Sequence, residues 1–351
     1  MPIPLVSIVI NNFNYARYLG QSIESALAQT HPRTEVVVVD DLSTDDSRSI
    51  IRRYGDRIAP VLPERNGGQA AAMNAGFAAS RGEVIFFLDS DDYLYPYAVE
   101  RVLSLWKPGI SKLQFRLDLV NREGEKLDLF PPPEVRLDSG DVVPLLLAAG
   151  RYETTVTTGN AFARGVLERI LPIPETDFRI AADGYLVTVA PLFGPVQSFD
   201  EPLGAYRQHG ENAWAPGTTG LGERLRKALV HDGRRYAALR EKARTLDLEV
   251  AGSPGLRDHS HLATRLSSLC IDPGLHPHQD DSRLGLALRG ALSARGARLP
   301  VKRRAVLAAW FVALGILPRA VAAKAAAWRI MPGSRPPAVD RVLKAVRRLV
   351  R

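Results

Sequence analysis

Residues 84–96 read VIFFLDSDDYLYP: five apolar residues, Val84 to Leu88, run straight into three carboxylates, Asp89, Asp91 and Asp92. An apolar run of that length, bounded by polar residues, predicts a strand covered on both faces. Carboxylates this close repel one another, and each loses hydration if drawn into a cleft. The cluster is tolerable on a wet turn, or where a cation sits between the oxygens. In Asp-Ser-Asp the alternation of an extended segment puts Asp89 and Asp91 on one side. Hard oxygen ligands in that pattern suit Mg²⁺ or Mn²⁺, which share their remaining shell with a diphosphate. Taken alone, DSDD fits a solvated acidic turn better.

The flanking sequence decides between these readings. LVSIVI (5–10) and EVVVVDD (35–41) are further buried strands, and IAPVLP (58–63) is a third. Between them, YLGQSIESALAQT (18–30) has helical spacing, with Leu19, Ile23 and Leu27 on one side. STDDSRSIIRRYG (43–55) opens on Ser43 as an N-cap and closes at Gly55, and GQAAAMNAGFAAS (68–80) is an alanine-rich helix. This alternation predicts an open α/β sheet, whose ligands bind beyond the carboxyl ends of the strands. Asn11, Asp41 and Asp89 all fall there. Asp41 can accept a base imide or a ribose hydroxyl, and NNFNY (11–15) adds amides and a ring on which a base can stack.

Two more strands are expected at KLQFRLDLV (112–120) and GNAFAR (159–164). Further on, Asp183 follows two alanines and precedes an apolar segment, so burial would raise its basicity. About thirty residues later His209 has chain enough to return to the same cleft. Each of these residues also has a plain structural reading: an acidic turn for Asp41, a surface histidine for His209.

Order and spacing carry more than any one motif. VSIVINNFNYARYLGQSIESALAQTHPRTEVVVVDDLSTDDS, NGGQAAAMNAGFAASRGEVIFFLDSDD, TGNAFAR, AADGYL and YRQHGEN occur in that order over residues 4–213. In this the chain resembles glycosyltransferase family 2, inverting nucleotide-sugar-dependent enzymes of the GT-A fold. The resemblance implies a GT-A type, mostly parallel sheet flanked by helices, and a metal-dependent transfer of a sugar to an acceptor hydroxyl. It implies that Asn11, Asp41, Asp89 and Asp91 bind the nucleotide sugar and that Asp91, with His209 beside it, holds the divalent metal. Asp92 would buttress that corner and Asp183 would be the catalytic base. The chain departs from the family in three places: Asn11 stands where a proline often follows the first strand, Met73 replaces an arginine, and Ala182 replaces a glutamate.

Two other enzyme or binding classes fit less well. A sugar nucleotidyltransferase would carry a glycine-rich loop with a basic residue after the first strand, which NNFNY is not. A receiver module matches VVVVDD but neither the second aspartate cluster nor the length of 351 residues. A catalytically silent nucleotide-sugar-binding protein remains the alternative to the enzyme.

The net charge of +8 is unevenly spread: residues 1–210 hold 20 Lys/Arg and 27 Asp/Glu, residues 211–351 hold 26 and 11. We place a catalytic domain over 1–215 and a basic helical region over 216–351, divided by proline-containing joints at 252–255, 272–278 and 332–337. The single cysteine, Cys270, excludes an intramolecular disulfide and suits a reducing cytoplasm. No secretory leader and no run of 18 apolar residues is visible. Residues 305–317 form an apolar stretch flanked by Lys302, Arg303, Arg304 and Arg319, too short to span a bilayer but fit to lie in its interface. Trp310, Phe311 and Trp328 are the expected anchors, aided by the basic amphipathic DRVLKAVRRLVR (340–351). The expected partners are therefore a UDP-sugar donor, a glycan or lipid-linked acceptor and an anionic inner-membrane surface. The alternative is a helical bundle that packs this apolar face on the catalytic domain or on a second copy, as a homo-oligomer. Nucleic acid is not expected, since the front half is acidic and no nucleic-acid motif accompanies the charge.

Overall fold

The computed structural model describes residues 3–210, 220–297 and 299–341. In chain order the first part holds β1 (Val6–Asn12), α1 (Ala16–Leu27), β2 (Thr34–Asp40), α2 (Ser47–Arg53), β3 (Ala59–Val61), α3 (Gln69–Ala79), β4 (Val84–Asp89), β5 (Tyr93–Leu94) and α4 (Ala98–Leu105). It continues with β6 (Lys112–Val120), β7 (Lys126–Phe130), α5 (Val143–Ala149), β8 (Asn160–Ala163), α6 (Arg164–Ile170), α7 (Asp183–Val189) and β9 (Val196–Arg207). The helical remainder is α8 (Leu221–Arg244), α9 (His259–Ile271), α10 (Arg283–Gly296), α11 (Val301–Ile316) and α12 (Arg319–Ile330).

One mixed sheet runs β3-β2-β1-β4-β8-β6-β9-β5, with β7 pairing antiparallel to the later part of β6. The first four strands in this order are parallel, and β8 joins antiparallel on β4 and β6. The strands are apolar without interruption because both faces are covered. Ile8, Ile10, Val36, Val38, Phe86 and Leu88 face the layer holding Leu19 and Ile23 of α1. Val9, Val37, Val39, Ile85 and Phe87 face the layer holding Ala70, Ala72 and Met73 of α3. The alanine content of α3 follows from close approach: a Cβ on Gly76 would lie 2.2 Å from Val9 Cγ1. Met73 is fully buried in this layer. The register sets Asn11 beside both Val39 and Asp89, so the ends of β1, β2 and β4 come level.

Ser43 does not cap α2. The helix starts at Ser47 after Asp46, and Ser43 Oγ instead accepts from Asn14 N at 2.8 Å and Asn12 Nδ2 at 3.2 Å.

The chain divides into two compact units. Among the described residues one comprises 3–146, 151–210 and 238–248, the other 147–150, 220–237 and 249–341. The boundary expected near 215 falls on residues outside the described ones. In the second unit Leu262, Leu266, Leu286, Leu307, Phe311 and Leu314 form the core, with Cys270 buried among them. Asp258 caps α9, accepting from Ser260 N and His261 N, and Ser282 caps α10, accepting from Gly285 N. No described helix is long and apolar enough to cross a membrane.

Candidate active site

The level strand ends open into a cavity of ≈ 450 Å³ whose lining includes Asn11, Asp41, Asp89, Asp91 and Asp183. Phe13 and Tyr15, from the segment after β1, also line it, and Phe13 is 44% exposed. The sequence-predicted residues therefore converge, apart from His209, which lies behind the wall.

Asp89 closes β4. Its Oδ1 accepts from Asn11 Nδ2 at 2.8 Å and from Gln69 Nε2 at 2.9 Å. Burial first, and then the like charges of Asp91 and Asp183, push its carboxyl up to about 7, against the opposing bonds from Asn11 and Thr157. Asp91 lies on the turn after the strand rather than on an extended segment. It shares the cavity with Asp89 because the chain bends there, not through period-two alternation. Asp92 is buried, accepting from Thr158 Oγ1 at 2.6 Å and Arg207 N at 2.9 Å. Burial and the charges of Asp91 and Asp89 push its carboxyl well above the usual range.

Asp41 has both oxygens engaged: Oδ1 accepts from Gly67 N at 2.8 Å and Oδ2 from Gly68 N at 2.7 Å. This fixes the turn into α3, where Gly68 has φ +83, a conformation that favours glycine. The carboxylate thus builds the cavity floor as well as lining it.

His209 is wholly buried by side chain. Its Nε2 is 2.9 Å from Asp91 Oδ2, and its ring lies against Tyr15 and Tyr18 at centroid distances of 5.5 and 5.1 Å. It orients the carboxylate from behind. Asp183 is the first residue of α7, where the helix dipole favours a carboxylate. Ala181 just before it holds φ +57, a left-handed turn uncommon for alanine that brings α7 to the cavity.

Several residues of this site were not among those expected. Gln69 bridges two walls: its Nε2 donates to Asp89, and its Oε1 accepts from Ala182 N at 3.0 Å, next to Asp183. Arg207 is buried, donates through Nε to Asp91 O at 2.9 Å, and stacks on Tyr18 with its guanidinium 4.9 Å from the ring centroid. Arg179 lines the cavity and bonds Asn66. NGGQ and YRQHGEN contained two of these, but only tertiary contacts tell Gln69 and Arg207 from their neighbours.

An open sheet with a carboxylate-rimmed cleft at its carboxyl edge defines an α/β protein of the GT-A type. Residues 7–111 match the family model described as glycosyl transferase family 2, and the chain belongs to that family. An uncharacterized glycosyltransferase of Nostoc sp. is 38% identical over 213 residues, covering 59% of this chain and 66% of the relative. The succinoglycan biosynthesis protein ExoO of Rhizobium meliloti is 36% identical over 135 residues, 38% of this chain and 39% of the relative. The chain thus spans about two thirds or less of these curated relatives. Among solved structures, S. aureus TarS 1–349 in complex with UDP-GlcNAc shares the fold with TM-score 0.51 at 16% identity, over 93% of this chain and 91% of that one. The Pyrobaculum calidifontis mannosyltransferase PcManGT, in complex with GDP-Man and Mn²⁺, does so with TM-score 0.50 at 18% identity, over 93% and 85%.

Proposed function

We propose that this protein transfers a sugar, with inversion, from a nucleoside-diphosphate sugar to an acceptor hydroxyl. The observation that carries the reading is the convergence of Asn11, Asp41, Asp89, Asp91 and Asp183 on one cavity. The exposed Phe13 ring offers a stacking surface for the base, and Asn11 Oδ1, buried without a hydrogen-bond partner, has an acceptor to spare. UDP-sugars are the first donors to test, since a fold relative binds UDP-GlcNAc. Asp183 takes the proton from the acceptor hydroxyl. The oxygen then bonds to the anomeric carbon as the bond to the diphosphate breaks, and the diphosphate leaves with the electron pair.

The site fits a divalent cation. Among the described residues no three His, Cys, Asp or Glu converge as a self-sufficient metal cage. Mg²⁺ and Mn²⁺, however, need only one or two carboxylates when substrate phosphates complete the shell. Asp91 is the carboxylate that would hold it, with Asp89 nearby and His209 either orienting Asp91 or joining it. When bound, the cation offsets the charge developing on the leaving diphosphate. Gln69 meanwhile holds the Asp89 and Asp183 walls in register.

ExoO's name points to a glycan acceptor, so envelope polysaccharide or glycolipid synthesis is the proposed setting, on the cytoplasmic face of the inner membrane. Purified protein incubated with a panel of nucleotide sugars and Mn²⁺ should release nucleoside diphosphate, and chelator should stop it. Binding of a nucleotide sugar without release or transfer, across a panel of acceptors, would leave a silent binding protein instead.

A further inference from the structure

The helical unit turns an apolar face outward. On α10, Leu284, Leu288 and Leu292 are 56, 55 and 62% exposed, spaced four residues apart along one side of the helix. Leu286, Ala287, Gly290 and Ala294 take the core side. On α11, Val312 and Ile316 are one turn apart and 42 and 69% exposed. The two helices pack closely: a Cβ on Gly290 would strike the Phe311 ring, and one on Gly315 would meet Ala287 and come within 3.9 Å of Leu284. The outward residues of both helices therefore lie side by side as one surface. Phe311, an expected anchor, points the other way and is fully buried, and Trp310 carries the Arg329 guanidinium 4.7 Å from its ring centroid.

Contiguous exposed apolar surface marks an interaction site, and the charge around it selects the partner. Residues 283–341 contain twelve Lys or Arg and one acidic residue, Asp340. Beside Leu292 a cavity of ≈ 410 Å³ is lined by Arg257, His259 and Arg289. Arg257 and Arg289 are exposed. Pairing of this face with a second copy would bring two cationic surfaces together. An anionic bilayer offers what both parts of the surface need: an acyl boundary for the leucines and phosphates for the arginines.

We propose that the α10–α11 face docks on an anionic lipid bilayer, with Leu284, Leu288, Leu292 and Ile316 in the interface and lipid phosphate at the Arg257–Arg289 cavity. The inference deepens the membrane location proposed above and does not depend on the transfer chemistry. The test is flotation of the full chain with vesicles of equal parts phosphatidylglycerol and phosphatidylcholine, against phosphatidylcholine alone. The wild type should float with the anionic vesicles and be released by salt. Leu288→Glu with Ile316→Glu should lower the bound fraction about tenfold or more, since the acyl contact is lost. Arg257→Gln with Arg289→Gln should abolish the preference for phosphatidylglycerol. All four positions are exposed, and circular dichroism checks that each variant keeps its helices. Nucleotide-sugar hydrolysis in lipid-free solution, read in parallel, should be unchanged, so failure of the transferase reading is seen separately. A wild type that does not float, undiminished flotation of the leucine–isoleucine variant, or a dimer in sedimentation that the same substitutions dissociate would each overturn the proposal.

Discussion

Each unit draws a carboxylate into its fold, and the two treat it in opposite ways. In the helical unit Asp281 accepts two bonds from Arg265, at 2.7 and 2.6 Å, and lies 3.0 Å from His276 Nε2. Those bonds and charges outweigh burial and hold its carboxyl down to about 2. In the sheet unit Asp89 has amide donors for one oxygen, but the charges that act on it are carboxylates, Asp91 and Asp183, and its carboxyl is driven up to about 7. A charge completed within the fold is architecture. A charge that the fold leaves in tension points to something that arrives from outside.

The largest effect should come from the chemical step. Asp183→Asn is expected to keep nucleotide-sugar binding by calorimetry yet lower the transfer rate by about 10²- to 10⁴-fold, the usual worth of a general base. A variant that transfers at the wild-type rate would assign the base elsewhere. On the other side of the comparison, Asp281→Asn should cost about 2 kcal/mol in stability, because Arg265 and His276 lose a charged acceptor. Chemical denaturation followed by tryptophan fluorescence reads this, since Trp310 and Trp328 both lie in that unit. An unchanged midpoint would remove the structural role given to Asp281.

Next in size is a test of the tension itself. Asp89→Asn keeps an oxygen for Asn11 and Gln69 while removing a like charge, so the metal-free protein should gain on the order of 1 kcal/mol, less than the whole shift to about 7 is worth because both donors then face a neutral acceptor. The same variant should bind nucleotide more weakly in Mn²⁺. Destabilisation of the metal-free variant would mean that the cluster is held together by something other than an incoming cation.

The strands were legible because they are buried on both faces: LVSIVI, EVVVVDD and VIFFLD admit no other reading in an alternating chain. Their level ends then delivered Asn11, Asp41 and Asp89 to one edge without any knowledge of the tertiary fold. Gln69 and Arg207 were not legible, since a glutamine at a helix start or an arginine at a strand end looks solvated until its partners are known. The same holds for the helical unit. Its apolar and basic composition was plain, but which side of α11 faces the core depends on the packing of Phe311 against Gly290, and that buries one of the three expected anchors, Phe311. The amphipathic segment 342–351 lies outside the described residues.

The smallest expected net effect is a pH dependence of the helical unit, opposite in sign to the one that the raised carboxyl of Asp89 gives the sheet unit. His278 is held down to about 4, by burial first and then by Arg265, His276 and His261, against Asp281. His231 is likewise held down to about 4 by burial, Arg235 and Arg234, against Asp232. Both values lie below the 6.5 of an unperturbed histidine, so the unfolded chain binds protons that the folded one refuses. The stability these groups contribute is present above about 6.5 and is lost as pH falls from there towards about 4. Asp281 adds a further loss only below its ordinary value of 3.8, on the way to about 2. In fluorescence-detected denaturation at pH 7.5, 6 and 5 the two histidines should therefore lower the midpoint as pH falls, against the opposing proton uptake of Asp89, and His278→Gln should remove its share of that slope. His278 Nε2 is buried without a hydrogen-bond partner, so glutamine gives up no bond there. If the slope survives in both His278→Gln and His231→Gln, the acid sensitivity belongs to other groups, and the contrast between the two units narrows to their carboxylates.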